Sequence, residues 1–260
     1  MKLSQAFCEM LGDRPFEEDH WGKSGSKIRL FDGLVLKAEP QGEETEQAVA
    51  MMRYLEGKLP VPHVIRHETV GGISYLLMTR MKGRMLCDEF YMKRPALLAQ
   101  LLARGLRMLW SIDISDCPVQ SGLDEKLRRA RLRVEQGLVD MQDSEPGTYG
   151  PEGFSSPAQL LDWLEDHRPE EEPVLSHGDY CLPNLFAMGH TLSGFIDLGR
   201  AGTADRWQDI ALCYRSLKHN ADGTFGAVYE GFSPELLFES LQMEPDWEKI
   251  RYYILLDELF

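Results

Sequence analysis

One short segment constrains the fold of this 260-residue chain more than any other. It runs from His177 to Asn184 as HGDYCLPN, and thirteen residues later comes Asp197, followed by Leu198 and Gly199. An aspartate and an asparagine five positions apart, with a later Asp-x-Gly, have the spacing of a kinase catalytic loop and metal-binding turn. The pattern predicts a fold that brings a polar loop and a polar turn together.

The polar side chains of this pattern meet the needs of phosphoryl transfer. Transfer from a nucleoside triphosphate requires a carboxylate facing the attacking hydroxyl and oxygen ligands that hold magnesium. Asp179 is the candidate catalytic base, and Asn184 and Asp197 are the candidate magnesium ligands. His177 is interpreted as a brace of the loop rather than as a base. Gly178 stands where protein kinases carry Arg, which favours kinases of small molecules.

The composition is that of a globular chain, with 43% hydrophobic and 27% charged residues. A formal net charge of −14 disfavours nucleic-acid binding, because such binders usually carry a basic face. No apolar run approaches the ~20 residues of a membrane span, and no signal peptide is apparent. Five scattered cysteines are typical of reduced cytosolic thiols. We therefore expect a cytoplasmic monomer or weak dimer that binds neither nucleic acid nor membrane.

The apolar pattern predicts an α+β fold with two lobes. Residues 1–78 are predicted to form a small, β-rich nucleotide-binding lobe with one helix. Its predicted elements are strands at 27–30, 34–37 and 73–79, a hairpin turn at 32–33 and a helix at 43–55. Residues 79–83 are the predicted hinge linker.

Residues 84–260 are predicted to form a larger, mostly helical lobe for catalysis and substrate binding. Apolar residues recur there at helical spacing, separated by a loop rich in Gly, Pro and Ser. The predicted helices cover 95–112, 123–141, 157–166, 209–217 and 247–256. The segment 205–209 is interpreted as a buried polar support of the catalytic loop.

The N-terminal lobe offers candidate nucleotide contacts. Lys37 ends a predicted strand, as does the kinase lysine that binds the α- and β-phosphates. The acidic segment 43–46 offers three glutamates as its helix partner. Small residues around Ser24 and Ser26 suit a loop that approaches phosphates closely, and Thr79 and Met81 are candidate contacts at the hinge.

The end of the sequence carries an unusual concentration of negative charge. Asp257 and Glu258 are adjacent, and the α-carboxylate of Phe260 follows them. The preceding segment 247–256 is aromatic and apolar enough to be packed. A docked tail would hold these anions at a fixed site, where a polycationic ligand would bind.

Five segments give the chain a resemblance to the aminoglycoside 3′-phosphotransferases along nearly its whole length. They are LEGKLPVP at 55–62, SIDISDCP at 111–118, HGDYCLPN at 177–184, GFIDLGR at 194–200 and the stretch 245–260. The resemblance implies a bilobal, protein-kinase-like fold. It implies ATP- or GTP-dependent, magnesium-dependent phosphorylation of the 3′-hydroxyl of kanamycin- or neomycin-type antibiotics, and hence resistance.

The resemblance also implies roles for individual residues. It makes Asp179 the base, Asn184 and Asp197 the magnesium ligands, and Lys37 the phosphate ligand. The positions that it assigns to drug binding are Arg200, Asp257, Glu258 and the Phe260 carboxylate.

On the nucleotide side the chain departs from the family at two positions. Ala48 stands where the helix glutamate that pairs with Lys37 is expected. Glu44 lies one turn earlier on the same face and is the candidate substitute. Val35 stands where the family has an aromatic residue that stacks on adenine.

On the drug side the departures remove negative charge. His219 and Asn220 replace an acidic pair that some members use to hold the drug. Asp140, Asp143 and Glu145 are alternative sources of a carboxylate from the loop before the catalytic segment. Two other functions stay open: a kinase of another small cationic or hydroxylated metabolite, and a non-catalytic protein that sequesters the drug.

Overall fold

The structure is a computed structural model that describes residues 3–19 and 26–260. The predicted phosphate loop falls largely outside these ranges, and so does Ser24. The first sheet has five antiparallel strands in the order β1-β2-β3-β5-β4. These strands are β1 (Glu17–Asp19), β2 (Lys27–Leu30), β3 (Leu34–Pro40), β4 (Val64–Val70) and β5 (Ile73–Thr79).

One face of the central strand β3 packs into the small core of the N-terminal part. Leu36 and Ala38 pack with helix α1 (Gln5–Leu11), whose Phe7 and Leu11 are buried. Successive strand residues point to opposite faces, so Lys37 lies on the other face. Because α1 joins this sheet, the prediction of a single helix in the N-terminal lobe is wrong. Its seven residues are too few for a clear apolar period.

Helix α2 (Glu43–Leu55) buries its apolar face in the larger core. Met51 and Leu55 are buried there, in one cluster with Leu76 of β5 and with the C-terminal helices. The predicted bounds of α2 are confirmed. The first turn of the helix also lies against Gly199, where an added Cβ would come within 3.1 Å of the Glu44 carbonyl oxygen.

The C-terminal part is mainly helical. Its helices are α3 (Glu89–Met92), α4 (Pro95–Trp110), α5 (Leu123–Glu135), α6 (Pro157–Asp166), α7 (Arg206–Ala221), α8 (Leu236–Leu241) and α9 (Trp247–Asp257). The bounds of α6 match the prediction, whereas α5 ends six residues earlier than predicted because Gly137 adopts a left-handed φ of 66°. Helix α7 begins earlier than predicted because the Asp205 carboxylate caps it by accepting a hydrogen bond from Trp207 N.

Short strands position the polar segments. They are β6 (Arg84–Met85), β7 (Pro173–Ser176), β8 (Leu185–Met188), β9 (Thr191–Phe195) and β10 (Gly202–Asp205). Strand β7 pairs with β10, and β8 pairs with β6 and β9. The catalytic loop therefore follows β7, and the later Asp-x-Gly follows β9.

The predicted boundary between the lobes falls between β5 and β6. Residues 80–83 lie outside regular structure there, and the division at 79–83 stays a prediction. None of the helices in residues 3–19 and 26–260 combines the length and apolarity needed to cross a bilayer.

Candidate active site

A buried carboxylate on α7 holds the predicted catalytic loop, residues 177–184, by hydrogen bonds. Asp209 on α7 has no solvent exposure and accepts hydrogen bonds from Ser176 Oγ (3.0 Å), His177 N (2.7 Å) and Gly178 N (3.0 Å). Burial raises the pKa of Asp209, while His177 and these donors act in the opposite direction. The predicted support of the loop by the segment 205–209 is confirmed.

The loop and the Asp-x-Gly turn are joined by His177 and Gly178. The His177 ring is buried, and its Nε2 lies 2.9 Å from the carbonyl oxygen of Ile196. Gly178 has a φ of 82°, and a Cβ there would lie 2.0 Å from the carbonyl oxygen of Arg200. No larger residue fits this position, so the glycine follows from close backbone packing.

Asp179 and Asn184 are in direct contact. The Asn184 amide nitrogen donates to Asp179 Oδ2 at 2.9 Å and to the Asp179 carbonyl oxygen at 3.0 Å. The amide oxygen of Asn184 is therefore turned away from Asp179. A 3₁₀ turn over Leu182–Asn184 holds this arrangement, with the Leu182 N–H bonded to Ser216 Oγ at 3.0 Å.

Asp197 occupies a left-handed backbone conformation, with φ and ψ both 60°. Such values are uncommon for a residue with a side chain and often occur at functional sites. The Asp197 side chain is 51% exposed, and its Oδ1 lies 3.5 Å from Lys37 Nζ. Lys37 thus contacts Asp197, Asp179 contacts Asn184, and the two segments meet where Ile196 N donates to the Asn184 carbonyl oxygen at 2.9 Å. We call this group of four residues the cleft, and their functional roles stay predictions.

Lys37 has a second acidic neighbour that the sequence analysis missed. Its Nζ lies 3.0 Å from Glu39 Oε2, on the same strand. Burial alone would lower the pKa of Lys37, but the charges of Asp197 and Glu39 raise it. Glu44, the candidate partner from α2, instead has its Oε1 3.5 Å from Arg200 Nε.

The donor set in the cleft fits magnesium. Magnesium prefers oxygen ligands and usually takes one or two from the protein, with waters and substrate phosphates completing its shell. Asp197 offers a half-exposed carboxylate, and the amide oxygen of Asn184 faces away from Asp179. Residues 3–19 and 26–260 contain no group of three His, Cys, Asp or Glu side chains placed to hold a metal, so a transition-metal cage is not formed by them.

The predicted drug-binding residues surround an arginine that the sequence analysis missed. Arg215 on α7 contacts the Asp257 carboxylate, lies 3.6 Å from Glu258 Oε1 and lies 3.8 Å from Glu145 Oε1. Arg200 Nη1 lies 3.3 Å from the other Asp257 oxygen. Burial alone would raise the pKa of Asp257, but Arg215 and Arg200 lower it.

Glu258 is a buried carboxylate rather than a freely exposed one. Its side chain is 4% exposed, and its Oε2 accepts a hydrogen bond from the Glu145 main-chain N–H at 3.0 Å. Burial raises the pKa of Glu258 to about 7, although this bond and Arg215 act against the shift.

The loop between α5 and α6 meets the tail through Glu145. Of the three acids left open above, Glu145 is the one beside Glu258, and its Oε2 lies 3.1 Å from His219 Nε2. Asp140 instead accepts a bond from Gln142 N at 2.9 Å within its own loop. Asn220 donates to the Ser216 carbonyl oxygen at 2.8 Å.

Arg133 of α5 holds the end of the tail. Its guanidinium donates to the main-chain oxygens of Leu259 and Phe260, each at 2.7 Å, and to the carbonyl oxygen of Leu138 at 3.0 Å. The Phe260 ring lies 5.5 Å from the guanidinium carbon of Arg200. The tail is thus packed and hydrogen-bonded beside Arg200.

A pocket adjoins this region and is lined by residues of α2, α5, α7 and α9. Glu44, Lys126, Arg200 and Asp257 give its wall charges of both signs. Burial and the nearby Arg200 lower the pKa of Lys126 to about 8.

The remaining predicted nucleotide contacts stay predictions. Thr79 is held at the end of β5, where its Oγ1 accepts a bond from His63 N at 2.8 Å. Met81 packs against Gly194, where an added Cβ would lie 2.6 Å from Met81 Cε. Ser26 directly follows the segment that the structure does not describe.

Comparison with known proteins agrees with this geometry. Residues 20–252 match the phosphotransferase enzyme family. An aminoglycoside 3′-phosphotransferase of Enterococcus faecalis is 44% identical over 219 residues, which are 84% of this chain and 79% of that relative. One from Niallia circulans is 41% identical over 98% of this chain and 97% of the relative.

A solved structure is similar over the whole fold. The crystal structure of an aminoglycoside-3′-phosphotransferase of type VIII superposes with a TM-score of 0.80, at 27% identity and over 98% of both chains. Fold and sequence together define a phosphotransferase with a protein-kinase-like α+β fold, as predicted. More narrowly, the chain belongs to the aminoglycoside 3′-phosphotransferase family.

Proposed function

We propose that this protein transfers the γ-phosphate of ATP or GTP to the 3′-hydroxyl of kanamycin- or neomycin-type aminoglycosides and so confers resistance. The observation that carries the proposal is the shared cleft of Lys37, Asp179, Asn184 and Asp197, in a chain 44% identical to a relative of that name. The proposal includes a cytoplasmic location and a monomeric or weakly dimeric state.

In this mechanism Asp179 accepts the proton of the attacking 3′-hydroxyl. The hydrogen bond from Asn184 fixes the carboxylate, and the bonds to Asp209 fix the loop that carries it. A positioned base of this kind typically contributes ~10²–10⁴-fold to the rate.

Asn184 and Asp197 would hold magnesium, and Lys37 would bind the α- and β-phosphates. Bound magnesium neutralises phosphate charge and orients the transferred group. Lys37 Nζ lies 3.5 Å from Asp197 Oδ1, so it would be within reach of phosphates whose magnesium is held by Asp197.

Arg200, Asp257, Glu258 and Phe260 are proposed to form the drug-binding side, together with Glu145. An aminoglycoside carries several ammonium groups and little apolar surface. Its affinity therefore depends on charge-assisted hydrogen bonds from these ammonium groups to the carboxylate oxygens of Glu145, Asp257, Glu258 and Phe260.

The decisive test is turnover of kanamycin and neomycin with ATP and, separately, with GTP. Release of ADP or GDP should depend on magnesium, and NMR of the kanamycin product should locate the phosphate on the 3′-oxygen. A 3′-deoxy analogue of kanamycin is the matched control, because it keeps the amines but lacks the acceptor. It should bind without being phosphorylated at that position. Phosphate on another oxygen, or drug binding without turnover, would contradict the proposal.

A further inference from the structure

The Lys37 ammonium group needs a neighbouring carboxylate to offset the cost of its burial. Its side chain is only 17% exposed, and a buried ammonium group without a partner is strongly disfavoured. Within the described parts of the chain, Glu39 at 3.0 Å and Asp197 at 3.5 Å are the carboxylates in ion-pair contact with Lys37 Nζ.

Asp197 cannot serve as the lasting partner in the proposed reaction. Its oxygens would ligate magnesium when nucleotide is bound, and its side chain is half exposed. The Glu39 side chain is 18% exposed and has no place among the proposed metal ligands. Glu39 is therefore the carboxylate that stays with Lys37 during turnover.

The sheet fixes Glu39 relative to Lys37. The two residues are two positions apart on β3, so their side chains leave the same face of the strand. Lys37 pairs in register with Ile28 of β2 and Leu76 of β5, and Glu39 pairs with Ser74 of β5. Hydrogen-bonded neighbours on both sides of Lys37 keep the spacing rigid.

Helix α2 does not supply the partner. Ala48, where the resemblance places a helix glutamate, has no carboxylate, and Glu44 contacts Arg200 at 3.5 Å. The first turn of α2 thus contacts the proposed drug-binding side rather than Lys37.

We propose that Glu39 is the positioning residue for Lys37 and replaces, from within the strand, the helix carboxylate that the chain lacks. The inference rests on the proposed function, because it assumes that Lys37 binds nucleotide phosphates. Glu39 itself touches no reacting atom; it acts by holding the lysine ammonium group toward the cleft.

The test compares E39Q with the wild type in steady-state kinetics and in calorimetric binding of magnesium–ADP. Loss of one charge-assisted hydrogen bond corresponds to roughly a tenfold or greater effect. We expect the nucleotide KM and the magnesium–ADP dissociation constant of E39Q to rise about tenfold. Drug affinity, measured without nucleotide, should be unchanged. E39D, which keeps the charge on a shorter stem, should recover part of the loss.

E18Q serves as the matched control. It removes the same charge from an ion pair in the same sheet, where Glu18 Oε1 lies 3.5 Å from Arg29 on the face opposite Lys37. E18Q should change the nucleotide KM by no more than about twofold, because exposed ion pairs contribute little free energy. E44Q is not a control; it tests whether the competing helix residue, rather than Glu39, positions Lys37.

A double mutant identifies the route of the effect. In a K37M background, E39Q should cause no further loss of magnesium–ADP affinity, because Glu39 acts through the lysine. An equal loss with and without Lys37 would overturn the inference. Wild-type nucleotide binding in E39Q would also overturn it, and so would an E44Q effect in place of an E39Q effect or a parallel loss of drug affinity.

Failure of the proposed function would look different. A wild-type protein that binds no nucleotide and turns over no aminoglycoside contradicts the proposed function before any variant is compared. An active wild type with an unaltered E39Q variant contradicts only the role of Glu39.

Discussion

The candidate catalytic cleft and the proposed drug-binding side differ in how their carboxylates are paired and buried. In the cleft, Asp179 is held by an amide N–H and Asp197 is half exposed, so both keep charge available for ligands. On the drug side, Asp257 contacts two arginines and Glu258 is almost fully buried. Much of the negative charge of the tail is therefore already paired inside the protein, and a cationic drug bound at the proposed site would share carboxylate oxygens that already have partners.

Removing the Asp179 carboxylate from the cleft should have the largest effect on activity. Asp179→Asn should lower kcat by ~10²–10⁴-fold, because a positioned base is lost. Magnesium–ADP binding should survive, since Asn184 and Asp197 remain. Steady-state kinetics and calorimetry on the same preparation measure both quantities. Turnover close to that of the wild type would remove Asp179 from the mechanism.

The Asp209 carboxylate, which holds the loop, should contribute mainly to the free energy of unfolding. Asp209→Ala leaves the N–H groups of His177 and Gly178 and the Ser176 hydroxyl without their acceptor. Several buried donors lose their bonds, so we expect a destabilisation on the order of 3 kcal/mol or more. Urea unfolding measures it, and Asp222→Ala, at the exposed end of α7, is the control. An unchanged midpoint would show that the loop does not depend on this anchor.

The burial of Glu258 should make the free energy of unfolding depend on pH. Its folded pKa of about 7 lies above the ordinary value of 4.5, so folding favours the protonated form. The resulting stability is complete below about pH 4.5 and is lost as the pH rises through 7. Relative to E258Q, the wild type should lose on the order of 1–3 kcal/mol between pH 5 and pH 8.

Urea unfolding of both proteins at four pH values provides the measurement. Glu248→Gln, at the exposed start of α9, makes the same chemical change without burial. A constant difference between wild type and E258Q across this range would refute the assignment of the titration to Glu258.

Removing the Arg133 side chain should weaken drug binding modestly. Arg133→Met removes the donors to the main-chain oxygens of Leu259 and Phe260 and loosens the tail. The drug KM should rise about 3–10-fold, while the nucleotide KM stays constant, because one charged donor is lost at a partly exposed site. Arg128→Met on the same helix removes only an exposed pair with Glu125 and serves as the control. A parallel rise of both KM values would make the tail a general structural element.

The sequence predicts features that are encoded locally. The hairpin between β2 and β3, the bounds of α2 and α6, and the spacing of Asp179 and Asn184 all depend on neighbouring residues, and the structure agrees with each. Local patterns suffice there because turn, helix and loop chemistry act over a few positions.

Long-range partners are the part that a single sequence does not contain. Arg133 meets Phe260 across 127 positions, and Arg215 meets Asp257 across 42. Nothing in the pattern of either segment specifies which arginine pairs with which carboxylate. Glu39 is different, since alternation along β3 already places it on the same face as Lys37.

The bond between Glu258 and the chain at position 145 has a consequence for how such an enzyme evolves. The donor is a main-chain N–H, which every amino acid except proline carries. Of the nineteen possible replacements of Glu145, eighteen keep this N–H, and only proline removes it. Selection by a new antibiotic can therefore change the side chain that the loop presents at the proposed drug-binding side while this main-chain bond to the tail is kept.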